Sequence, residues 1–228
     1  EIGVRLVGSE MCIRDRFVHG ALCYCYSGQC LMSEEIGDRS GNRGMCAQPC
    51  RLPFTSAYGN GHLFSTKDMC TLMHIPELVD AGIDSFKIEG RMKKKEYSAY
   101  LSSLYRHYVD VYESEGKETF QALVQNKESR LWKDIRRSKD IYNRGGFCAG
   151  YLFETDKKNI MYPKKNGHFG TCVGTVLKAS KGQAVFRVKE ALHYQDILEF
   201  RLEDDTKAYE YTVKNEAAPV SYTHLTLP

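Results

Sequence analysis

Cysteine is the residue type in this chain whose number and spacing could do chemistry. The chain holds nine cysteines, and most of them lie in its first third. Three fall in the stretch CYCYSGQC at 23–30, two follow in CAQPC at 46–50, and Cys70 stands in STKDMC. Thiolates bind zinc and iron–sulfur clusters, and they also act as nucleophiles, so several chemistries are open.

The spacing of the thiols favours some of these chemistries over others. Structural zinc sites use pairs roughly two to four residues apart, which Cys46 and Cys50 match and Cys23 and Cys30 do not. Wide spacing around a glycine-rich loop suits an iron–sulfur cluster, because its four thiolates surround a body larger than one ion. A nucleophilic thiol needs a neighbour that stabilises the thiolate, and Cys70 with His74 is the one arrangement of that kind. Structural roles stay open as well.

The composition narrows the class of protein. Of the 228 residues, 42% are hydrophobic and 27% are charged, as in an ordinary globular protein with a buried core. No apolar run approaches the ~20 residues of a membrane span, and no charged and then apolar start suggests a secretory leader. Nine cysteines without such a leader favour a reducing compartment, so we expect a cytoplasmic protein. The net charge of +3 alone does not indicate nucleic-acid binding.

The elements predicted around the thiols begin with a strand and a loop. The apolar run at 17–22 predicts a buried strand. The stretch 33–53 is rich in Gly, Asn, Arg and Pro and predicts a long ordered loop, a kind of loop that is usually functional. We then expect a helix with its N-cap at Ser65 and its stop at Gly82.

A strand and the clearest helix of the chain follow. The strand is predicted over 83–91, and the helix over 97–112, where tyrosines and leucines recur at helical spacing before Gly116 ends it. We expect the tyrosines to pack in the core rather than to stack on nucleic-acid bases. Strand, loop, helix, strand and helix in this order are typical of a parallel α/β unit.

The last third of the chain has a different pattern. Residues 117–150 are polar, with one helix predicted near 129–139, and they read as a connection. Four short β-type runs then alternate with turn sequences and predict a small antiparallel barrel over 151–219; the runs are 173–179, 183–189, 196–202 and 208–214. Residues 1–16 and 220–228 resemble translated adaptor sequence, so we expect them to be non-native and the chain to be a piece of a longer protein.

Several stretches resemble the signature region of the collagenase-like peptidases, which form family thirty-two of the peptidases of unassigned mechanism. They are FVHGALCYCYSGQCLMS, GNRGMCAQPCRLPF and STKDMCTLMHIPELVDAGIDSFKIEGRMK, with weaker likeness in NRGGFCAGYLF and HFGTCVGTV. The resemblance implies a parallel β/α barrel with an appended small β domain. Such a barrel takes ~250 residues, so this chain would hold only its later part.

The pattern and the resemblance together predict the fold class. We expect an α/β protein with the C-terminal part of a parallel β/α (TIM-like) barrel, followed by a small antiparallel β-barrel domain. The expected divisions are a non-native segment 1–16, a partial barrel with the cysteine-rich loop 17–116, a helical connection 117–150, a β domain 151–219 and a non-native segment 220–228.

The resemblance implies two activities. Some members of the family are described as collagen-degrading proteases, and others resemble oxygen-independent hydroxylases of tRNA, ribosomal RNA or ubiquinone precursors. The hydroxylases carry a four-iron four-sulfur cluster on four cysteines, and the RNA enzymes depend on prephenate. By motif position, the ligands implied are Cys23, Cys30, Cys46 and Cys70, with Cys50 in reserve for the fourth place and Cys25 as an additional thiol.

The function expected from this resemblance is RNA hydroxylation by an iron–sulfur enzyme, with tRNA or ribosomal RNA as the partner. A hydrolytic triad and an HExxH-type metal motif are both missing from the sequence. Collagenase-like proteolysis of a protein substrate is the alternative. A third is a zinc-stabilised RNA-binding module, which would explain the Cys46 and Cys50 pair.

The catalytic groups are expected at strand ends, because sites of parallel barrels lie where the strands end at their C-terminal side. His19 stands near the end of one predicted strand, and Lys87, Glu89 and Arg91 stand at the end of the other. We assign His19, Lys87 and Glu89 to catalysis, and Arg43 and Arg91 to the carboxylates of a dianion such as prephenate. A structural ion pair between Lys87 and Glu89, and loop arginines that only brace backbone carbonyls, are the alternatives.

Overall fold

The protein divides into two compact units, Glu1–Gly170 and Thr171–Pro228. Its structure is a computed structural model that describes residues 15–26, 28–57, 59–90, 93–180, 183–203, 206–219 and 222–226. The first unit mixes helices with a sheet that contains parallel strands, and the second is antiparallel β structure. None of the described helices combines the length and apolar character that a membrane span requires.

Six strands of the first unit form two sheets. They are β1 (Asp15–Ala21), β2 (Phe54–Ser56), β3 (Gly59–Gly61), β4 (Asp68–Cys70), β5 (Ser85–Ile88) and β6 (Phe147–Cys148). The larger sheet has the order β5-β1-β4-β6, while β2 and β3 form a separate hairpin. β1 is parallel to β5, and β4 is parallel to β6, but β1 and β4 are antiparallel. In the described part of the chain this sheet is open and does not close into a barrel.

The described part of the first unit also contains five α-helices. They are α1 (Met32–Gly37), α2 (Ile75–Asp80), α3 (Lys95–Gln125), α4 (Arg130–Ile141) and α5 (Gly150–Phe153), with 3-10 turns at Gly41–Arg43, Pro49–Arg51, Leu72–His74 and Lys157–Ile160. The predicted strands near 17–22 and 83–91 are therefore confirmed as β1 and β5, and the predicted helix near 129–139 is confirmed as α4.

The tyrosine-rich face of α3 packs in the core, as its periodicity predicted. Its buried side chains are Tyr97, Leu101, Leu104, Tyr105, Tyr108 and Phe120. The Tyr105 hydroxyl reaches the sheet and donates to the Val18 carbonyl of β1 at 2.8 Å. Gly116 leaves the helical conformation, with φ 81° and ψ −179°, but the helix resumes and runs to Gln125. The glycine thus kinks the helix that it was expected to end.

The helix expected from Ser65 is wrong in its first half. The segment from Asp68 to Cys70 is the strand β4, whose residues pair with β1, and α2 begins only at Ile75, with Pro76 in its first turn. Ser65 is buried and accepts a hydrogen bond from Arg51 instead of capping a helix. The backbone N–H and C=O groups of a short buried strand are satisfied by a partner strand that local sequence does not reveal.

The described residues of the second unit form five strands in two sheets, and the four predicted β runs are confirmed. They are β7 (Gly174–Ser180), β8 (Gln183–Val188), β9 (Ile197–Arg201), β10 (Lys207–Thr212) and β11 (Tyr222–Thr226). The sheet orders are β11-β8-β7 and β10-β9, so the described strands form no closed barrel. Alternate residues of β8 are buried, and Phe186 and Val188 form a small core with Leu192, Leu198 and Val213. β11 lies within the segment that was expected to be non-native.

Candidate functional site

The cysteine loop, residues 33–53, is fixed to the sheet by one buried arginine. Arg51 is only 5% exposed. Its guanidinium donates to the Leu22 carbonyl just beyond β1, to the Thr66 carbonyl and hydroxyl, and to the Ser65 hydroxyl, at 2.9 to 3.1 Å. The expectation that loop arginines brace the backbone is confirmed at Arg51. The loop is therefore ordered, although it contains only α1 and two 3-10 turns.

Four thiols lie together beside this arginine. Cys23 and Cys46 are exposed, Cys30 and Cys50 are half-buried, and all four are free. Burial raises the pKa of the Cys50 thiol, the charge of Arg51 opposes that effect, and Cys23, Cys46 and Cys30 reinforce it. Each of the three therefore lies within electrostatic range of Cys50. We refer to them as the thiol quartet.

The loop backbone packs closely around one member of the quartet. The Gln48 amide N–H donates to the Cys46 sulfur at 3.3 Å. A Cβ added to Gly41 would lie 3.5 Å from the Cys46 Cβ and 4.0 Å from its sulfur. In the part of the chain that the structure describes, no three His, Cys, Asp or Glu side chains converge closely enough to hold a metal ion.

Cys70 lies apart from the quartet, in the hydrophobic core. Burial raises the pKa of its thiol to about 11, and its charged or polar neighbours are Tyr105, Lys139 and Cys148. Cys70 belongs to the strand β4, whereas the sequence predicted that it lies in a helix. The ring of His74 stacks on Phe153, with centroids 4.0 Å apart. This arrangement does not activate Cys70, because a buried thiol stays protonated at neutral pH.

His19 occupies an aromatic cage between the sheet and α3. Its ring is 99% buried and packs edge-on against Tyr97, Tyr105 and Phe147, with centroids 5.0 to 6.1 Å apart. The Tyr105 hydroxyl lies 3.4 Å from Nδ1. Burial lowers the pKa of His19 to about 3, so its imidazole is neutral at physiological pH. Its assignment to catalysis stays a prediction.

The remaining predicted site residues lie in different surroundings. Lys87 is exposed, with its ammonium 4.9 Å from the centre of the Phe17 ring. Glu89 is half-buried, and its backbone accepts from the Tyr97 hydroxyl. Arg43 is exposed at the end of its 3-10 turn, and Arg91 lies outside the described residues. Their roles stay predictions.

The sequence interpretation missed a buried charge pair beside the quartet. Asp68, at the start of β4, is 2% exposed, and Arg144 is 9% exposed. The Arg144 Nη1 lies 3.9 Å from the Asp68 Oδ1. Burial raises the pKa of Asp68, and the charges of Arg144, Arg51 and Lys93 oppose that effect. Because Arg51 acts on both Asp68 and Cys50, the pair and the quartet are electrostatic neighbours.

The sequence NRGG positions Arg144. The Asn143 side chain is fully buried, donates to the Lys139 and Gly170 carbonyls, and accepts from the Gly146 amide N–H. Gly145 has φ 70°, and a Cβ there would overlap the ring of Tyr162. The Gly-Gly pair marks a turn in the sequence, but only the fold shows that the turn points Arg144 at Asp68.

A lysine and a tyrosine border the pair. The Lys93 ammonium lies 2.8 Å from the centre of the Tyr142 ring, and the Arg144 Nε donates to the Tyr142 hydroxyl at 3.2 Å. Burial acts to raise the pKa of Tyr142, but Lys93 and Arg144 outweigh it and lower that pKa. Asp68 pairs with Ala21, the last residue of β1. The pair therefore lies at the C-terminal end of β1, the edge where parallel strands of α/β proteins present their sites.

Comparison with known families agrees with the sequence motifs. The model of Peptidase family U32 matches residues 11–162. The chain belongs to peptidase family U32. This confirms the resemblance to the collagenase-like peptidases.

Relatives within peptidase family U32 carry two kinds of name. The chain is 34% identical over 183 residues to the 23S rRNA 5-hydroxycytidine C2501 synthase of Escherichia coli K12, covering 77% of this chain and 27% of that protein. It is 39% identical over 111 residues to tRNA hydroxylation protein P1 of Bacillus subtilis, covering 43% of this chain and 26% of that protein. It is 37% identical over 105 residues to a collagenase of Porphyromonas gingivalis, covering 43% of this chain and 29% of that protein.

The chain thus spans between about a quarter and a third of the length of these relatives. No solved structure matches it.

Proposed function

We propose that this chain is the cysteine-bearing part of a cytoplasmic iron–sulfur enzyme that hydroxylates tRNA or ribosomal RNA, with prephenate as co-substrate. The observation that carries the proposal is the thiol quartet, in which Cys46 and Cys50 lie on the braced loop and Cys23 and Cys30 lie within electrostatic range of Cys50. The printed names of two relatives, an rRNA hydroxycytidine synthase and a tRNA hydroxylation protein, support RNA as the substrate.

The ligands that we propose for a four-iron four-sulfur cluster are Cys23, Cys30, Cys46 and Cys50. Four thiolates are the ligand set that such a cluster takes. Cys50 takes the fourth place from Cys70, because Cys70 is buried among aromatic and aliphatic side chains. When bound, such a cluster supplies one-electron chemistry on iron held by thiolates.

The chain's own residues hold the site in place. Arg51 fixes the loop to the end of β1, so that Cys50 keeps its position relative to the strand ends. Its charge also favours the thiolate of Cys50, which is the form that binds iron. Arg43, exposed on the same loop, is proposed to bind a carboxylate of prephenate. Arg91 is proposed to bind the second carboxylate.

The larger sheet is proposed to be the C-terminal part of a β/α barrel. Its parallel pairs, β1 with β5 and β4 with β6, support this proposal. The cysteine loop follows the end of β1, which is where barrel enzymes place functional loops.

Proteolysis is the second candidate, favoured by the relatives that are named collagenase. However, Cys70, the thiol that the sequence offered as a nucleophile, and His19, which was assigned to catalysis, are both buried in the core. A zinc-stabilised RNA-binding module is the third candidate, and it rests on the short spacing of Cys46 and Cys50.

The test is nucleoside analysis of RNA. A strain lacking the full-length gene that carries this chain is complemented with the intact gene, with a Cys30→Ala variant or with a Cys172→Ala control; Cys172 is exposed in the second unit. We expect a hydroxylated pyrimidine in tRNA or ribosomal RNA with the intact gene and the control, and its loss with Cys30→Ala. Unchanged RNA in all strains, together with gelatin cleavage by purified protein, would contradict the proposal.

A further inference from the structure

Three buried polar atoms at the end of β1 lack hydrogen bonds. They are both carboxylate oxygens of Asp68 and the Nη1 of Arg144, which have no partner among the residues that the structure describes. An unsatisfied buried polar atom costs about 1–3 kcal/mol, and more when it is charged. Native proteins keep few such atoms, so a partner from outside the chain is the physical explanation to consider first.

The neighbouring cations cannot satisfy Asp68 as they stand. All four hydrogen bonds found for the Arg51 guanidinium go to Leu22, Ser65 and Thr66. The Lys93 ammonium lies against the face of Tyr142. Arg144 directs its Nε to the Tyr142 hydroxyl and its Nη1 towards Asp68, but at 3.9 Å. This separation is too long for a direct hydrogen bond and leaves an acceptor and a donor side by side.

An occupant of this site must therefore offer a hydrogen-bond donor next to an acceptor. A sulfate or phosphate would serve Arg144 but would leave Asp68 without a donor and would place two anions together. The Watson–Crick edge of a base has the required pattern. In cytosine the amine N4 can donate beside the acceptor N3, and in uracil the N3–H can donate beside the O2 or O4 acceptor.

We propose that Asp68 and Arg144 read the Watson–Crick edge of the target pyrimidine. Asp68 accepts a hydrogen bond from the base, and the Arg144 Nη1 donates one to it. The inference rests on the proposed function, which supplies RNA as substrate, and the relative whose name contains 5-hydroxycytidine points to a pyrimidine rather than a purine. The site adjoins the quartet, because Arg51, next to Cys50, donates to the carbonyls of Leu22, next to Cys23, and of Thr66, two residues before Asp68. Base and cofactor would then meet at one edge of the sheet.

The test pairs a change in the ligand with a change in the protein. Equilibrium binding of cytidine, N4,N4-dimethylcytidine, uridine, 3-methyluridine and adenosine is measured with the full-length protein that carries this chain. Methylation removes the N–H group from which Asp68 would accept a hydrogen bond. We expect one of the two methylated nucleosides to bind roughly 10-fold more weakly than its parent, or weaker still.

The protein variants are Asp68→Ala and the nearly isosteric Asp68→Asn, each with its thermal unfolding recorded. In Asp68→Ala the penalty for methylation should fall below about twofold, because the acceptor is already gone. The matched control is the exposed ion pair of Arg106 and Asp110 in α3. Asp110→Ala should keep the full penalty. The methylated nucleosides test the unaltered protein, so the proposal stays testable even if Asp68→Ala does not fold.

The outcomes separate this inference from the proposed function. Equal binding of parent and methylated nucleosides by a protein that does hydroxylate RNA would overturn the role of Asp68 and Arg144 alone. Adenosine binding as tight as that of the pyrimidines would overturn the choice of a pyrimidine. If the protein leaves RNA unmodified but shows the methylation penalty, the base-binding role of Asp68 and Arg144 is supported and the proposed hydroxylase function is contradicted.

Discussion

Two sets of cysteines in this chain show how burial decides what a thiol can do. The thiols of the quartet are exposed or half-buried, whereas Cys70 and Cys148 are buried in the neighbouring strands β4 and β6. The thiols of the quartet can be reached by a metal ion or a reagent, because the core does not enclose them. The buried thiols behave as small hydrophobic side chains. The quartet is therefore the set of thiols to which we assign the proposed chemistry, while the buried Arg51 holds the cysteine loop in place.

The largest expected effect comes from a substitution in the turn that carries Arg144. Gly145→Ala forces a Cβ into the Tyr162 ring at a φ of 70°, and we expect a loss of about 3 kcal/mol or more in the free energy of unfolding. Gly146→Ala is the matched control, because its φ is also positive but no atom lies within 4 Å of the added Cβ. Chemical denaturation of both variants measures the difference. Equal losses would show that the contact with Tyr162 does not shape the turn.

Arg51 and Arg39 are a buried and an exposed arginine of the same cysteine loop. Arg51→Ala removes the donor from several buried acceptors, so we expect a loss of about 3 kcal/mol in the free energy of unfolding. Arg39 is exposed, and its side chain donates to the Met45 carbonyl, so Arg39→Ala should cost less than about 0.5 kcal/mol. Denaturation curves decide, and a small loss at Arg51 would mean that the loop is held by other contacts.

Thiol labelling measures the contrast between the two sets directly. The pKa of Cys70 is raised from 9.0 to about 11, which alone lowers its thiolate fraction and its labelling rate about 100-fold at neutral pH. Mass spectrometry after a pulse of iodoacetamide should find Cys23 and Cys46 modified in the folded protein, and Cys70 only after unfolding. Rapid labelling of Cys70 would contradict its place in the core.

The burial of His19 makes the free energy of unfolding depend on pH, which is a smaller effect. Its pKa is about 3 in the folded protein and near 6.5 when unfolded, so only the unfolded chain takes up a proton between these values. The contribution of His19 to stability is therefore intact above pH 6.5 and is lost as the pH falls towards 3. We expect about 2 kcal/mol less stability at pH 5 than at pH 7. In His19→Phe this loss should shrink, and an unchanged slope would assign it to other groups.

The parts of the fold that local sequence determines were predicted correctly. The face of α3 follows from a repeat of tyrosines and leucines, and the strands of the second unit follow from short β runs between turn residues. β4 was missed because its hydrogen bonds go to β1, about fifty residues earlier in the chain, and local spacing looked helical.

The candidate site was predictable to a smaller extent. The thiols of the quartet stand out in the sequence, but only the fold separates Cys50 from Cys70. The pair of Asp68 and Arg144 has no local pattern at all, because distant segments bring the two residues together.

The most direct test of the account is the iron and sulfide content of two serine variants of the full-length protein, purified without oxygen. Cys50→Ser removes a proposed ligand, and Cys70→Ser changes a buried core thiol. We predict that Cys50→Ser loses most of the iron, the sulfide and the visible absorption, while a folded Cys70→Ser retains them. A Cys50→Ser protein with a full cluster, beside a Cys70→Ser protein without one, would contradict the account.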